Sequence, residues 1–325
     1  MFTGGTISMR LDPVAGGNVP ALDGAAILAR TPGLDGIADV VAIDHGLTPA
    51  SHFRFADVLA IGGLIRRALA DPAIDGAVVV QGTDTIEETS FAWDLTIASA
   101  KPVVVTGAMR ASHEPGDDGP MNLLDAMTVA AAPVARGSGV TVVLGGTIEP
   151  ADDVQKAHTT ALDTFRSPNG GSLGRVGEGR VVMARSRGPR RHVAVERAAA
   201  RVHLITAGLE SDGALLAAAV SAGGVEGIVV AATGAGNTHP GLLAAATDAM
   251  RAGIPVVLAS RCPAGAVSTA YAFPGGGATW VRAGAIPAGA LCAIKARVAL
   301  ALGIGAGLSR EALAGLLADP VDALP

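Results

Sequence analysis

The chain has 325 residues, beyond the size at which one hydrophobic core usually stops growing, so two domains are the first expectation. Half of the residues are apolar and 16% are charged, which excludes a disordered polymer too poor in apolar surface to offset its ordering entropy. A net charge of −5 argues against nucleic acid as the main partner. Only Met1 and Phe2 precede the Thr3-Gly4-Gly5-Thr6 turn, where a central strand is expected; either that strand is supplied differently or, the reading preferred here, the natural start lies upstream. Helical patterning then covers Ala21–Arg30, followed by an apolar run at Val40–Ile43 and a helix over Phe55–Leu69. Strand, helix, strand, helix, strand follow at Ala77–Val80, Thr85–Ala98, Pro102–Thr106, Asn122–Ala132 and Val140–Leu144. Residues Arg185 to Ala200 break this rhythm, and the basic cluster Arg185–Arg191 reads as a solvated linker. Beyond it come strands at Val202–Thr206, Ile228–Ala232 and Pro255–Ala259, with helices at Gly213–Ala222, His239–Ala252, Gly289–Ala301 and Ser309–Leu317. Ser309 is the N-cap of the last helix.

The strand runs are continuous rather than alternating, as expected of parallel strands buried on both faces. Their alternation with helices, and the break at Arg185–Ala200, predict an α/β fold of two domains: an N-terminal domain over 1–185, a linker over 186–200 and a C-terminal domain over 201–325. Glycine is abundant at 44 residues, about twice its usual share. With six Phe, two Trp and one Tyr, the core must be built from Ala, Val, Leu and Ile on closely packed backbones. The longest uncharged stretches, Gly227–Thr247 and Cys262–Val281, are broken by Pro, Asn, His or Gly and cannot span a membrane as a helix of roughly 20 apolar residues. No charged n-region leads into an apolar h-region, and Cys262 and Cys292 lack metal spacing, so a cytoplasmic protein is expected.

Four segments bring small hydroxyl, acid or amine side chains to the carboxyl ends of predicted strands, where parallel sheets bind ligands. They are Thr3-Gly4-Gly5-Thr6; Gln81-Gly82-Thr83-Asp84-Thr85 with Glu87, Glu88 and Thr89; Gly107-Ala108-Met109-Arg110 with Asp118 and Asn122; and Asp152-Asp153-Val154-Gln155-Lys156 with Thr164-Phe165 beyond. A threonine hydroxyl becomes a nucleophile only when a base takes its proton, and a lysine oriented by a carboxylate can serve. Gly-Gly-Thr and Gly-Thr-Asp turns present backbone N–H groups to an anion or oxyanion. Taken singly, each Thr-Asp pair reads as a helix N-cap, and Glu87 and Glu88 in the first turn favour that reading.

Taken together, TGGTIS, GTDTIEETSFAWDL, PVVVTGAMR, DGPMNL and DDVQKAHTTALDTFRSP match in order and spacing the bacterial-type L-asparaginase family, over nearly the whole chain. The resemblance implies a larger parallel-sheet N-terminal α/β domain, a smaller flavodoxin-like C-terminal α/β domain and hydrolysis of asparagine to aspartate and ammonia. It implies Thr6 as nucleophile, and Thr83, Asp84 and Lys156 as the second threonine, its acid and the lysine acting on it. By the same resemblance Asp84 binds the substrate ammonium, Ser51 its carboxylate, and backbone N–H groups near Thr83 and at Ala108 the oxyanion. Gly234-Ala235-Gly236-Asn237 resembles a family turn whose asparagine reaches a neighbouring subunit's site, which implies that role for Asn237 and a homodimer or homotetramer; no metal or organic cofactor is implied.

The chain departs from this pattern in three places. Gln81 stands where the family often has His. The N-terminal loop Arg10–Leu22 has no tyrosine, and the only one, Tyr271, lies in the second domain. After Ser260-Arg261-Cys262-Pro263-Ala264-Gly265 no glutamate follows; Ala270-Tyr271-Ala272 stands instead. Hydrolysis of glutamine or another small amide therefore stays open, as does a weakened amino-acid-binding protein, although a pure binder has no need of Thr6, Thr83, Asp84 and Lys156 together. Gly170-Gly171-Ser172-Leu173-Gly174 fits a serine nucleophile elbow in letters but lacks the preceding strand. Gly234-Ala235-Gly236 lacks the third glycine of a dinucleotide fingerprint, and the seven histidines have no zinc spacing.

Overall fold

The Val-rich runs of the first half form the parallel part of a sheet, as unbroken apolar strands covered on both faces require. The computed structural model describes residues 1–318, in two units, Met1–His192 and Val193 onward. The first unit opens with an antiparallel hairpin of β1 (Met9–Asp12) and β2 (Gly17–Pro20), then α1 (Gly24–Ala29) and α2 (Phe55–Ala70). It continues through β3 (Ala77–Val80), α3 (Ile86–Thr96), β4 (Val103–Thr106), α4 (Gly119–Ala131) and β5 (Val140–Leu144). After β5 no α-helix intervenes between β6 (Thr147–Pro150), β7 (Gln155–Lys156), β8 (Phe165–Arg166), β9 (Gly174–Gly177) and β10 (Arg180–Met183). The sheet order is β10-β9-β6-β5-β4-β3, parallel from β3 to β5 and antiparallel beyond, while β7 and β8 pair with each other.

Local chemistry accounts for these elements. In α2 the buried Val58, Ile61, Ile65 and Leu69 recur at three- and four-residue spacing and make one inward stripe. Asp57 accepts the Arg54 backbone N–H at 2.8 Å and caps its start. Burying each such side chain contributes roughly 1.5–3 kcal/mol. Pro120 sits in the first turn of α4, where its missing N–H goes unneeded, and Asn122, Leu123, Ala126 and Val129 face inward.

Several expectations change. The first sheet is mixed, because β6, β9 and β10 return antiparallel through tight turns; Glu178 and Gly179, both at positive φ, close the β9–β10 hairpin. No strand forms over Val40–Ile43: Val41 is 71% exposed, and pairing there is confined to Phe2, which bridges Asp44 on one side and Val80 on the other. β-branched residues without a partner strand do not make one. Much of the expected N-terminal loop is the β1–β2 hairpin. The basic cluster is not a solvated face, since Arg187 and Arg190 turn inward to a buried carboxylate, Asp94.

The second unit keeps the simple rhythm: β11 (Val202–Thr206), α5 (Ala214–Ser221), β12 (Gly227–Ala232), α6 (Pro240–Arg251), β13 (Val256–Ser260), α7 (Gly277–Ala283), β14 (Ile286–Pro287), α8 (Ala293–Gly305) and α9 (Arg310–Leu317). Its four strands are parallel in sequence order, and β12 and β13 are buried along their whole length. Helix α8 starts at Ala293 rather than Gly289, whose φ of 58° belongs to a turn. Among the described residues no helix is long and apolar enough to cross a membrane.

Candidate active site

Strand β3 ends at Val80 and runs through Gln81-Gly82 into a single 3-10 turn, Thr83–Thr85, which leads directly into α3. The buried Thr83 and the 68%-exposed Asp84 carboxylate thus sit side by side at the carboxyl end of β3, the last strand of its sheet. Lys156 reaches both: its Nζ donates to Thr83 Oγ1 at 2.9 Å and to Asp84 Oδ1 at 2.8 Å. The β7–β8 hairpin delivers the lysine, with Lys156 opposite the buried Phe165. Ala157 N–H donates to the Thr164 carbonyl at 2.8 Å, and Thr164 Oγ1 accepts the His158 N–H at 2.9 Å and donates to the His158 carbonyl. With Asp84 so exposed the ion pair adds little to stability; what it provides is the placement of an amine against a hydroxyl.

The Thr3–Thr6 turn is pressed onto the same segment. Thr3 is tied to Val80 through its backbone N–H at 3.0 Å and its hydroxyl at 3.1 Å, both donating to the carbonyl. Gly5 has φ 97°, and a Cβ on it would stand 2.2 Å from Gly82 N. The residue before Thr6 therefore abuts the residue before Thr83, and only glycine fits. Thr6 itself is half-buried and opens a 3-10 turn, Thr6–Ser8, closed by Ser8 donating to the Gly5 carbonyl.

The Ser51 and Ala108 segments dock beside these turns. A Cβ on Gly82 would lie 3.0 Å from Ala50 Cβ, and Thr85 Oγ1 donates to the Ala50 carbonyl at 3.1 Å, which leaves Ser51 exposed next to Ala50. On the other side, a Cβ on Gly107 would meet the Gln81 carbonyl at 2.5 Å and Thr83 Cγ2 at 3.2 Å. Ala108 follows, fully buried. Two α4-end residues hold this stretch: Asp118 accepts the Met109 and Arg110 N–H groups at 3.0 and 2.9 Å, and Asn122 Nδ2 donates to the Gly107 carbonyl at 3.0 Å. Asn122 Oδ1 accepts the Gly145 N–H at 3.0 Å and so ties the β4 and β5 loops together. Gln81, fully buried, accepts the Thr89 hydroxyl at 2.9 Å.

Six of the seven candidate residues belong to abutting segments of the first unit: Thr6, Ser51, Thr83, Asp84 and Ala108 in or beside its turns, and Lys156 on β7. Asn237 lies in the second unit, in the Thr233–Asn237 turn after β12, with its Oδ1 buried and unpartnered. Ser172 lies in the loop between β8 and β9. Asp118 and Asn122 show no role in the sequence alone, and the Asn122–Gly145 and Arg187–Asp94 contacts, across 23 and 93 residues, leave no local pattern. Among the described residues no group of three His, Cys, Asp or Glu side chains is placed to hold a metal ion. The assembled parts are two hydroxyls, one amine that touches a hydroxyl and a carboxylate, and backbone turns that approach closely, a set suited to acyl transfer.

Known proteins share this arrangement of chain. The family profile "Asparaginase, N-terminal" matches residues 1–188, and "Glutaminase/Asparaginase C-terminal domain" matches residues 201–317. A probable L-asparaginase of Deinococcus radiodurans is 40% identical over 96% of this chain and 94% of its own. An L-asparaginase of Bacillus licheniformis is 34% identical over 78% of this chain and 79% of its own. The crystal structure of a probable cytoplasmic L-asparaginase from Campylobacter jejuni superposes with a TM-score of 0.86 at 29% identity, covering 97% of each chain. With both halves matched in order and a relative this similar along almost the full length, the chain belongs to the asparaginase family.

Proposed function

We propose that this protein hydrolyses L-asparagine to L-aspartate and ammonia through a threonine ester, without a metal or organic cofactor. The observation that carries the reading is the contact of Lys156 Nζ with Thr83 Oγ1 and Asp84 Oδ1, at 2.9 and 2.8 Å, beside the Thr6 turn. The Thr6 hydroxyl attacks the side-chain amide carbon as its proton is passed to the Thr83–Lys156 pair. The resulting oxyanion is held by backbone N–H groups near Thr83 and at Ala108. The C–N bond breaks as the nitrogen takes up a proton and leaves as ammonia; water then hydrolyses the ester, freeing aspartate and Thr6. Asp84 holds the substrate ammonium, Ser51 its carboxylate, and Asn237 completes the site of a neighbouring subunit in a homodimer or homotetramer. The names of the relatives support the substrate, and that of the Campylobacter jejuni protein supports a cytoplasmic location.

A panel of asparagine, glutamine and dipeptide amides, read as ammonia release, tests the substrate. One methylene is worth only about 1–3 kcal/mol of discrimination, so measurable glutamine turnover fits the same site; equal rates on all three would sink the asparagine assignment. A second reading exchanges the threonines, because the hydrogen bond from Lys156 falls on Thr83. Trapping the ester and mapping the labelled peptide separates the two: a label on Thr83 removes Thr6 as nucleophile. Sedimentation of the pure protein tests the oligomer, and a monomer that retains full activity rules out a site completed by Asn237.

A further inference from the structure

A buried ion cluster in the first unit takes no part in the chemistry above. Arg187 donates from Nη1 to Asp94 Oδ1 at 2.8 Å and from Nη2 to Asp94 Oδ2 at 2.7 Å, a fork matched to the carboxylate. The same Nη2 lies 2.8 Å from Asp152 Oδ2, and Nε lies 3.3 Å from that oxygen. Asp94 Oδ1 also receives Arg190 Nη1 at 3.2 Å and the Val140 N–H at 3.0 Å. The side chains of Arg187 and Asp94 are 6% and 3% exposed, that of Asp152 37%. Burial works against the Arg187 charge, but Asp94 and then Asp152 outweigh it, so the guanidinium is held charged.

Ion pairs taken this far from water gain little net stability, because desolvation offsets their attraction. What they fix is geometry, and the elements joined here are those that carry the site. Asp94 lies on α3 ten residues, about 15 Å of helix rise, beyond Asp84. Asp152 sits in the turn four residues before Lys156, and α3 packs against β7. We propose that Arg187 is a positioning residue: by tying Asp94 to Asp152 it holds the turn that delivers Lys156 in register with the helix that follows Thr83 and Asp84. The proposal rests on the catalytic reading of Lys156 given above.

Asp152→Ala removes one link, leaves Arg187 paired with Asp94, and alters a partly exposed side chain, so the fold is expected to survive. Misplacing a reacting group by about 1 Å can lower rates on the order of 100-fold, so kcat for L-asparagine should fall about 10- to 100-fold with KM changed by less than about threefold. Arg187→Lys, which keeps the charge and loses the fork, should show the same split more weakly. The decisive measurement is a cycle of Asp152→Ala and Lys156→Met on kcat. If Asp152 acts through Lys156, adding Asp152→Ala to Lys156→Met lowers kcat no further. Wild-type kcat in Asp152→Ala, or fully additive losses in the double variant, overturns the proposal. Should Asp152→Ala lose its fold by circular dichroism, Asp152→Asn takes its place in the cycle. Wild-type kcat in Lys156→Met overturns the catalytic reading of that lysine, and the positioning role with it.

Discussion

Buried polar residues divide unevenly between the two units. Among the described residues, fifteen of the seventeen buried polar or charged ones lie between Thr3 and Ser167, and two, Ser260 and Lys295, lie in the second unit. Strand β12 is built from Gly, Ile, Val and Ala alone, and its neighbours pair in simple parallel order. The first unit instead interrupts its sheet with tight turns whose polar groups are satisfied across long stretches of chain: Thr3 to Val80, Asn122 to Gly145, Lys156 to Thr83. A buried polar group must find a partner, so each such pair pins two distant segments in one geometry. Apolar packing makes a scaffold, whereas polar wiring fixes the relative position of particular side chains.

Substitutions in the two units should therefore fail in different ways. The largest effect is expected for Lys156→Met, which removes the amine from Thr83: kcat should drop by about 10²–10⁴-fold with thermal stability close to wild type, measured by ammonia release and calorimetry. In the second unit Leu258→Ala opens the apolar core around β13 and should cost about 2–5 kcal/mol of stability, with kcat per folded molecule near wild type. A matched pair of glycine changes sharpens the contrast. Gly5→Ala places a Cβ against Gly82 and should impair both activity and stability, by roughly 1–3 kcal/mol or more. Gly253→Ala, at φ 85° with open space around it, should cost only about 1–2 kcal/mol and leave kcat alone. If both glycines behave alike, the contrast between wiring and packing is wrong.

The smallest effect concerns Glu149, a buried carboxylate on β6 that accepts the Ser167 hydroxyl at 2.5 Å. Burial raises its pKa, with the Ser167 hydrogen bond opposing. A carboxyl whose folded pKa is raised binds its proton more tightly when folded, so its contribution is full below the unfolded value and is lost as pH rises through the folded one. Glu149→Gln should therefore raise Tm relative to wild type at neutral pH, and the gain should vanish below the ordinary carboxyl range near about 4. A gain that persists unchanged in acid would assign the effect to packing.

Legibility followed the same division. Runs such as Val140–Leu144 and Ile228–Ala232 were readable because a strand covered on both faces is apolar at every position. Val40–Ile43 looked alike and formed no strand, since pairing partners do not show in composition. The hairpin β9–β10 does not show in the sequence, because four-residue strands at the end of a sheet carry almost no pattern, although Gly177-Glu178-Gly179 marks its turn. Thr83, Asp84 and Lys156 stood out as residue types at strand ends, yet only the family resemblance joined Lys156 to Thr83 across 73 positions. Arg187 looked like one more charge in a basic surface run, because an ion pair to Asp94 across 93 positions leaves no trace in spacing.

Ionic strength will separate two of the carboxylates that face basic side chains, Asp84 and Asp94. Asp84 is open to counterions, whereas Asp94 is shut away with its arginines. The Debye length shrinks from about 10 Å at 0.1 M salt to about 3 Å at 1 M. On the proposed role of Asp84, added salt screens its attraction for the substrate ammonium, whereas the buried Arg187–Asp94 pair is screened far less. On these two proposals, substrate capture weakens with the surrounding electrolyte while the internal alignment does not.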